Sequence, residues 1–236
     1  MAVLTTARLP VRLTPLVGRD AELGAVTSAL AGSRLLTLTG PGGAGKTRLA
    51  LAAAAEAAAG ADVAWVELAA VEDPDAVAAT VAGRLGVPET PGVDPATAIA
   101  GYVTAHYAAR PLLVVLDNCE HLAAAIARLT EYLLAECPEL SVLATSREPL
   151  AVEGERTWPV PPLGAADAVL LFADRARLVA PSFAITDANA AAGCGGEGYL
   201  PPASCLVNGR GLSGLVRFEH RGLPSRPSPA RPGIRP

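Results

Sequence analysis

The sequence predicts a three-layer α/β/α fold in which a mostly parallel sheet lies between two layers of helices. Short apolar runs rich in Val, Leu and Thr alternate with alanine-rich stretches along residues 14–188. The apolar runs are nearly continuous, as expected for strands that are buried on both faces. Alanine favours helix at little entropic cost. Strand–helix alternation of this kind implies right-handed crossovers between parallel strands.

Five strands are predicted, each a short run bounded by polar, Gly or Pro residues. The first four are the apolar runs RLLTLT, DVAWVEL, PLLVVLD and LSVLAT, and the fifth is RTWPV. In chain order they span residues 34–39, 62–68, 111–117, 140–145 and 156–160.

Six helices are predicted around these strands. Two of them begin with a proline that follows an aspartate, which predicts Asp73 and Asp94 as N-caps and Pro74 and Pro95 as first helical residues. In chain order the helices span residues 20–31, 45–59, 74–85, 95–108, 120–136 and 165–179.

The α/β domain is flanked by two segments of different character. Residues 1–13 are expected to form an N-terminal arm, and residues 189–236 a Gly/Pro/Arg-rich irregular tail. Within 193–236 six arginines face two acids, and no apolar periodicity is visible. Two explanations stay open: a disordered tail, or GC-rich DNA read out of frame.

Composition excludes several classes of protein. A formal net charge of −4 argues against a globally basic nucleic-acid binder. No run of about 18 uncharged apolar residues is present, so no membrane association is expected. The first residues lack a signal-peptide pattern. A cytoplasmic location is therefore expected, with reduced thiols because no C-x-x-C spacing occurs among the four cysteines, Cys119, Cys137, Cys194 and Cys205.

One segment stands out because it contains the only lysine of the chain, Lys46, among eighteen arginines. The segment fits the P-loop pattern G-x-x-x-x-G-K-[ST], and it follows a strand and opens a helix as that motif requires. Glycines let backbone N–H groups approach a phosphate closely, and the helix N-terminus favours an anion. The compact lysine charge suits the β- and γ-phosphates, and the Thr47 hydroxyl suits Mg²⁺. The predicted nucleotide-binding loop comprises Gly40, Pro41, Gly42, Gly43, Ala44, Gly45, Lys46, Thr47 and Arg48.

Asp117 is the predicted second metal-binding residue. It ends an apolar strand, as a Walker B carboxylate does, and would hold Mg²⁺ directly or through water. The alternative is an Asp-Asn turn that ends the strand. A complete P-loop in the same α/β domain favours the metal role.

Two further residues complete the predicted catalytic set of Lys46, Asp117, Glu120 and Arg147. Arg147 follows the strand LSVLAT, and at the carboxyl edge of the sheet it could sense the terminal phosphate. The alternative for it is a surface ion pair with Glu148 or Glu153. Glu120 is the carboxylate nearest to Asp117 and the candidate hydrolytic base, or else a charge at a helix N-terminus. Asn118, the residue after Asp117, carries a side-chain amide that cannot accept a proton, so slow hydrolysis is expected.

These motifs together resemble the nucleotide-binding domain of STAND-type signalling ATPases, which are related to NB-ARC and AP-ATPases. The closest resemblance is to that domain in large bacterial transcriptional regulators of the LuxR and SARP types. The resemblance covers residues 14–188 through the ordered motifs TPLVGRDAEL, LLTLTGPGGAGKTRLA, VAWVELA, LLVVLDNCEHL, VLATSREPL, GERTWPVPPL and DAVLLFADRARLVAPSF.

The resemblance implies a Mg²⁺-dependent switch between ATP and ADP. Val17, Gly18 and Arg19 would lie against adenine and ribose. Asp117 would be the Walker B acid and Arg147 the sensor arginine. DNA would be bound only through a domain absent from this chain, and ATP would permit homo-oligomerisation of the full-length regulator.

The chain departs from the family pattern after residue 188. The family continues into a helical segment with a Gly-Leu-Pro-Leu motif, whereas the sequence RGLPS at residues 221–225 is followed by no apolar helix and is interpreted as a chance similarity. A C-terminally truncated product is therefore expected. Two alternatives to the signalling switch stay open: a metabolic P-loop kinase, which would need a lid and an acceptor pocket, and a non-functional fragment.

Overall fold

The structure is a computed structural model that describes residues 9–11 and 14–184. The predicted tail, most of the N-terminal arm, and Cys194 and Cys205 lie outside the described residues. The chain divides into two compact units, residues 1–170 and 171–236. The described part of the second unit is the end of the last helix and the turn after it, where the rings of Phe172 and Phe183 pack edge to face.

A parallel sheet forms the centre of the first unit. Its strands are β1 (Leu35–Thr39), β2 (Asp62–Glu67), β3 (Leu112–Asp117), β4 (Leu140–Thr145) and β5 (Arg156–Pro159). They follow the spatial order β2-β3-β4-β1-β5, and every neighbouring pair is parallel. This arrangement confirms the predicted fold class.

Helices cover both faces of this sheet. The helices are α1 (Asp20–Ala31), α2 (Lys46–Ala57), α3 (Ala76–Leu85), α4 (Pro95–His106), α5 (Ala123–Glu136) and α6 (Ala165–Val179). As the continuous apolar runs predicted, the strands are buried on both faces, because successive residues of one strand point to opposite faces. On one face Val114 and Leu116 pack among residues of α3, α4 and α5, and on the other Leu113 and Val115 pack among residues of α1 and α2. None of the helices described is both long and apolar enough to cross a membrane.

The two predicted Asp-Pro helix starts behave differently. At α4 the prediction is confirmed, because the Asp94 carboxylate accepts a hydrogen bond from the Thr97 N–H and Pro95 opens the helix. At α3 it was wrong. The Asp73 carboxylate accepts from the Asp75 N–H at 2.9 Å, which forms a local turn through Pro74, and the helix begins at Ala76.

The predicted start of α5 was also too early. Residues 118–122 form a turn, and the helix begins at Ala123. Glu120 therefore lies in the loop after β3 and is not an N-terminal helix charge. This loop follows β3, the strand that ends at Asp117.

Candidate functional site

The predicted site residues come together at the carboxyl edge of the sheet. β1 leads into the P-loop, β3 ends at Asp117 and β4 ends at Thr145. Because these strands are parallel, their carboxyl ends share one edge, which is where open α/β sheets bind ligands. β4 lies between β1 and β3.

The backbone of the P-loop requires glycine at particular positions. Gly40 has a φ of 144°, and a Cβ there would lie 2.7 Å from the carbonyl oxygen of Val160. Gly45 adopts the left-handed conformation directly before α2, and a Cβ there would meet open space. The loop is therefore packed against β5 on one side and open on the other, which leaves room for a ligand beside its backbone.

Lys46 is the buried cation of this loop. It is 9% exposed, and its ammonium donates to the carbonyl oxygens of Gly40 at 2.8 Å and Pro41 at 3.1 Å. Burial lowers the pKa of Lys46 below its ordinary value, while the carboxylates of Glu120 and Asp117 act in the opposite direction. The charges of Glu120, Arg147 and Asp117, the other members of the predicted catalytic set, therefore all act on the lysine.

Asp117 is held by two hydroxyl groups. The Thr47 hydroxyl donates to Asp117 Oδ1 at 2.8 Å, and the Thr145 hydroxyl donates to the same oxygen at 2.6 Å. The Thr145 hydroxyl also accepts from the Asn118 N–H at 3.0 Å. These contacts join the P-loop, the end of β3 and the end of β4 into one polar network around a 6% exposed carboxylate.

Thr145 is a site residue that the sequence reasoning missed. The sequence signal was available, since a threonine ends the strand immediately before Ser146 and Arg147. A β-branched residue at a strand end ordinarily indicates strand propensity, so the pattern alone assigned it no role. Both its hydroxyl and its carbonyl contact the loop after β3. The hydroxyl accepts from the Asn118 N–H, and the carbonyl accepts from the Cys119 N–H at 2.9 Å.

Glu120 and Arg147 form an ion pair beside this network. Arg147 Nε lies 3.0 Å from Glu120 Oε1, so the alternative partners expected for Arg147, Glu148 and Glu153, were wrong. The arginine side chain is 67% exposed and the glutamate side chain 20%. Glu120 Oε2 is buried and has no hydrogen-bond partner among the described residues.

The LVGRD segment makes contacts that the resemblance did not imply. Val17 is half-buried, and Gly18 has a φ of 65° with the Asp167 carboxyl 2.3 Å from the position of a Cβ. Arg19 is 3% exposed and contacts Glu22 and two backbone carbonyls. The role of these three residues at adenine and ribose stays a prediction.

Arg48 reaches backwards along the chain from the first turn of α2. Its Nη2 donates to the Thr14 carbonyl at 2.8 Å, to the Thr14 hydroxyl at 2.7 Å and to the Pro15 carbonyl at 2.9 Å. The guanidinium thus connects the phosphate-binding loop with the segment that precedes α1. Its contact with nucleotide also stays a prediction.

The residues present fit Mg²⁺ and a nucleoside polyphosphate. Mg²⁺ prefers hard oxygen donors, and the Thr47 hydroxyl and the Asp117 carboxylate supply them side by side. A polyphosphate requires backbone N–H groups and a compact cation, which the open face of the loop and Lys46 supply.

Comparison with known proteins identifies relatives of the chain. A family model described as "AAA domain" matches residues 30–152. The "Putative HTH-type transcriptional regulator Rv0890c" of Mycobacterium tuberculosis is 47% identical over 164 residues, which cover 69% of this chain and 18% of the relative. The "Uncharacterized protein Rv0894" of the same organism is 45% identical over 182 residues, covering 73% and 44%. The chain thus spans less than half the length of either relative.

Solved structures of low sequence identity share the fold. The Aeropyrum pernix ORC2 protein, described as "ADPNP-ADP complexes", superposes with a TM-score of 0.54 at 16% identity, over 73% of this chain and 55% of that chain. A Walker-type ATPase of Pyrococcus abyssi also gives a TM-score of 0.54, at 13% identity, over 92% and 78%.

Proposed function

The chain belongs to the AAA domain family, and on that premise we propose that it is an ATP- and ADP-binding switch of a transcriptional regulator, with slow ATP hydrolysis. The family model matches residues 30–152, and the two relatives named above align with 69% and 73% of this chain. The finer assignment, to a STAND-type domain of LuxR- or SARP-type regulators, is part of this proposal.

One observation carries the proposal. The Thr47 hydroxyl and Asp117 Oδ1 are 2.8 Å apart although the two residues lie 70 positions apart in the chain. A glycine-rich turn and a strand-ending aspartate that served only structural purposes would have no reason to meet. A phosphate-binding loop and a metal-binding carboxylate must meet, because one cation has to contact both the protein and the phosphates.

In this proposal each residue has a separate binding role. The loop from Gly40 to Thr47 binds the phosphates, and Lys46 supplies the positive charge. Thr47 and Asp117 bind Mg²⁺, which when bound neutralises charge on the phosphates. Val17 and Gly18 lie towards the base and ribose. Arg48 ties the segment before α1 to the loop.

Hydrolysis is proposed to use Glu120 and Arg147. A water oxygen attacks the γ-phosphorus, the bond from that phosphorus to the bridging oxygen breaks, and ADP leaves. The proton of the water passes to the carboxylate of Glu120, whose side chain is 20% exposed beside Asp117 and Arg147. Arg147 faces Glu120 and is exposed, so it can exchange its partner for the terminal phosphate. Slow turnover is expected because Asn118, the residue beside Asp117, carries an amide that cannot accept a proton.

The output of the switch is proposed to lie elsewhere in a full-length regulator. The relative whose name includes "HTH-type transcriptional regulator" matches this chain over 18% of its own length, which leaves space there for a DNA-binding domain. DNA would therefore be bound through such a domain, and ATP-dependent homo-oligomerisation would be a property of the whole protein. A cytoplasmic location fits this role.

The test is thermal unfolding with and without Mg·ADP and Mg·ATP. One-site binding at about 100 times the dissociation constant adds roughly 2.7 kcal/mol to the free energy of unfolding. For a domain of this size the melting temperature is expected to rise by about 5–11 °C. A cooperative transition that neither nucleotide moves would refute nucleotide binding.

A matched pair of variants separates the metal role from general destabilisation. Asp117→Asn removes the charge at the carboxyl edge of the sheet, whereas Asp62→Asn makes the same change at the start of β2, where Asp62 pairs with Arg110. We expect Asp117→Asn to lose the Mg²⁺-dependent part of the nucleotide shift and Asp62→Asn to keep it. Equal Mg²⁺ dependence in both would contradict the metal role of Asp117.

A further inference from the structure

Arg19 is the buried arginine that precedes α1, and its side chain is only 4% exposed. Nη1 pairs with Glu22 Oε1 at 2.9 Å. Nη2 donates to the Ala44 carbonyl at 3.0 Å and to the Pro161 carbonyl at 2.6 Å. The side chain therefore joins three segments that are far apart in sequence: the start of α1, the P-loop and the segment after β5.

The two hydrogens of Nη2 are both used by these carbonyls. A guanidinium carries five N–H donors in a fixed planar fork and cannot be deprotonated in proteins. Its fork fits several oxygens at once, and for that reason arginine is favoured at buried sites of this type. Three of its five N–H donors are thus engaged, and because the side chain is only 4% exposed, Arg19 offers little accessible surface to a base or a ribose.

The contact with Ala44 affects the phosphate-binding loop directly. In a planar trans peptide, the C=O of one residue and the N–H of the next point in opposite directions. The Ala44 carbonyl points to Arg19, so the Gly45 N–H points away from it. A Cβ at Gly45 would meet no other heavy atom within 4 Å, so the loop is open beside this residue. Arg19 thus fixes the orientation of a peptide group at the phosphate site.

The backbone segments that surround the Arg19 guanidinium are themselves held by hydrogen bonds. The Val160 N–H donates to the Thr39 carbonyl at 2.7 Å, which continues the β1–β5 pairing up to the residue before Pro161. The Arg19 carbonyl accepts from the Leu23 N–H at 2.8 Å as α1 begins. The guanidinium is therefore anchored to the sheet through Pro161 and to a helix through its own backbone.

We propose that Arg19 is a positioning residue for the phosphate-binding loop and not a contact to base or ribose. Through the Ala44 carbonyl it sets the affinity for the polyphosphate part of the nucleotide. The inference rests on the proposed function, since it concerns the same nucleotide site. It differs from what the resemblance implies for the VGR motif, where Arg19 would lie against adenine and ribose.

The experiment compares two probes on each protein by calorimetry: Mg·ATP, and Mg²⁺ with inorganic tripolyphosphate, which has no base or ribose. In Arg19→Lys we expect the affinity for both probes to fall by the same factor, about tenfold, because a single ammonium cannot bridge Ala44, Pro161 and Glu22 together. A base or ribose contact would instead reduce ATP affinity and leave tripolyphosphate affinity unchanged. That outcome, or unchanged affinity for both probes, would overturn the proposal.

Arg110 provides a matched control. Its Nη2 donates to the carbonyls of Ala58 and Ala61, and its Nε pairs with Asp62, so it also contacts two carbonyls and one carboxylate, although its side chain is 47% exposed. Ala58 and Ala61 follow α2, and Asp62 begins β2, so these contacts lie away from the P-loop. Arg110→Lys is expected to keep both affinities. Equal losses in Arg110→Lys and Arg19→Lys would assign the effect to general loosening of the fold and overturn the proposal.

Two further measurements keep the proposal separate from the proposed function and from misfolding. Wild-type protein that binds neither probe would contradict the proposed function itself. Glu22→Gln leaves the Nη2 contacts in place and is expected to lower tripolyphosphate affinity less than Arg19→Lys does. Cooperative melting of each variant is recorded first, and Arg19→Gln replaces Arg19→Lys if the latter does not melt cooperatively.

Discussion

The network around Asp117 gives a sharp prediction for Thr145→Val, a substitution that keeps the shape of the side chain and removes its hydroxyl. The lost O–H donates to a carboxylate at 2.6 Å, and the same oxygen accepts from the Asn118 N–H. Hydrogen bonds to charged groups contribute about 1.5–3 kcal/mol, and an unpaired buried donor costs about 1–3 kcal/mol. We therefore expect the free energy of unfolding to fall by about 2.5–6 kcal/mol, and the melting temperature by roughly 5–24 °C.

The same substitution is expected to weaken Mg²⁺ binding. Without the Thr145 hydroxyl, Asp117 Oδ1 keeps the hydrogen bond from Thr47 alone among the described residues, so the carboxylate is less firmly oriented towards the metal. We expect about tenfold more Mg²⁺ to be required for half-maximal stabilisation by ADP, which corresponds to about one charge-assisted hydrogen bond. The assay is a Mg²⁺ titration at fixed ADP, read by thermal unfolding. ADP binding in the presence of a chelator should not change.

Thr37→Val is the matched control for this prediction. Thr37 lies on the neighbouring strand β1 and is fully buried, but its hydroxyl has no hydrogen-bond partner in the part of the chain that the structure describes. Removing it should leave stability unchanged or slightly raised. Thr145→Ser, which keeps the hydroxyl, should restore the Mg²⁺ dependence. If Thr145→Val melts like Thr37→Val and binds Mg²⁺ like wild type, the reasoning about the network is refuted.

The remaining predictions concern Lys46, the proposed base Glu120 and a buried thiol. Lys46→Ala should abolish measurable triphosphate binding, because the main charge-assisted contact is lost, and titration calorimetry would contradict this if affinity stayed the same. Glu120→Gln should lower the rate of ATP hydrolysis at least tenfold while ADP affinity is kept; an unchanged rate of phosphate release would remove Glu120 as the base. Burial, reinforced by the Asp117 carboxylate, raises the pKa of the Cys119 thiol, so alkylation at pH 8 should label Cys119 only after unfolding. Mass spectrometry of the native protein would show early labelling if this is wrong.

The sequence was sufficient to place the strands and to select the residues at the centre of the candidate site. All five strands lie within one residue of their predicted bounds, because each is a continuous apolar run closed by polar or turn residues. The P-loop could be recognised because its chemistry is local: glycines, a lysine and a threonine within eight positions. Asp117 could be recognised because a charge directly after five buried apolar residues has few structural explanations.

The contacts that hold the site in place could not be read from the sequence in the same way. The Arg19–Pro161 hydrogen bond joins residues 142 positions apart, and the Thr145–Asp117 hydrogen bond joins residues 28 apart. Their formation depends on which strands are neighbours, and a pattern of alternating strands and helices does not fix the strand order. The start of α3 was misplaced for a local reason, since an aspartate before proline can close a turn as well as cap a helix.

The strand order also explains why a small polar residue is needed at the end of β4. β1, which leads to the P-loop, and β3, which ends in Asp117, are not neighbours, because β4 lies between them. The Ser146 N–H donates to the Leu38 carbonyl on the β1 side, and the Thr145 hydroxyl donates to Asp117 on the β3 side. A change in the separation of β1 and β3 must therefore pass through the residues that end β4. Arg147, the next residue along, is the side chain that faces Glu120, so three consecutive residues at the end of β4 connect the P-loop strand, the proposed metal-binding carboxylate and the proposed base.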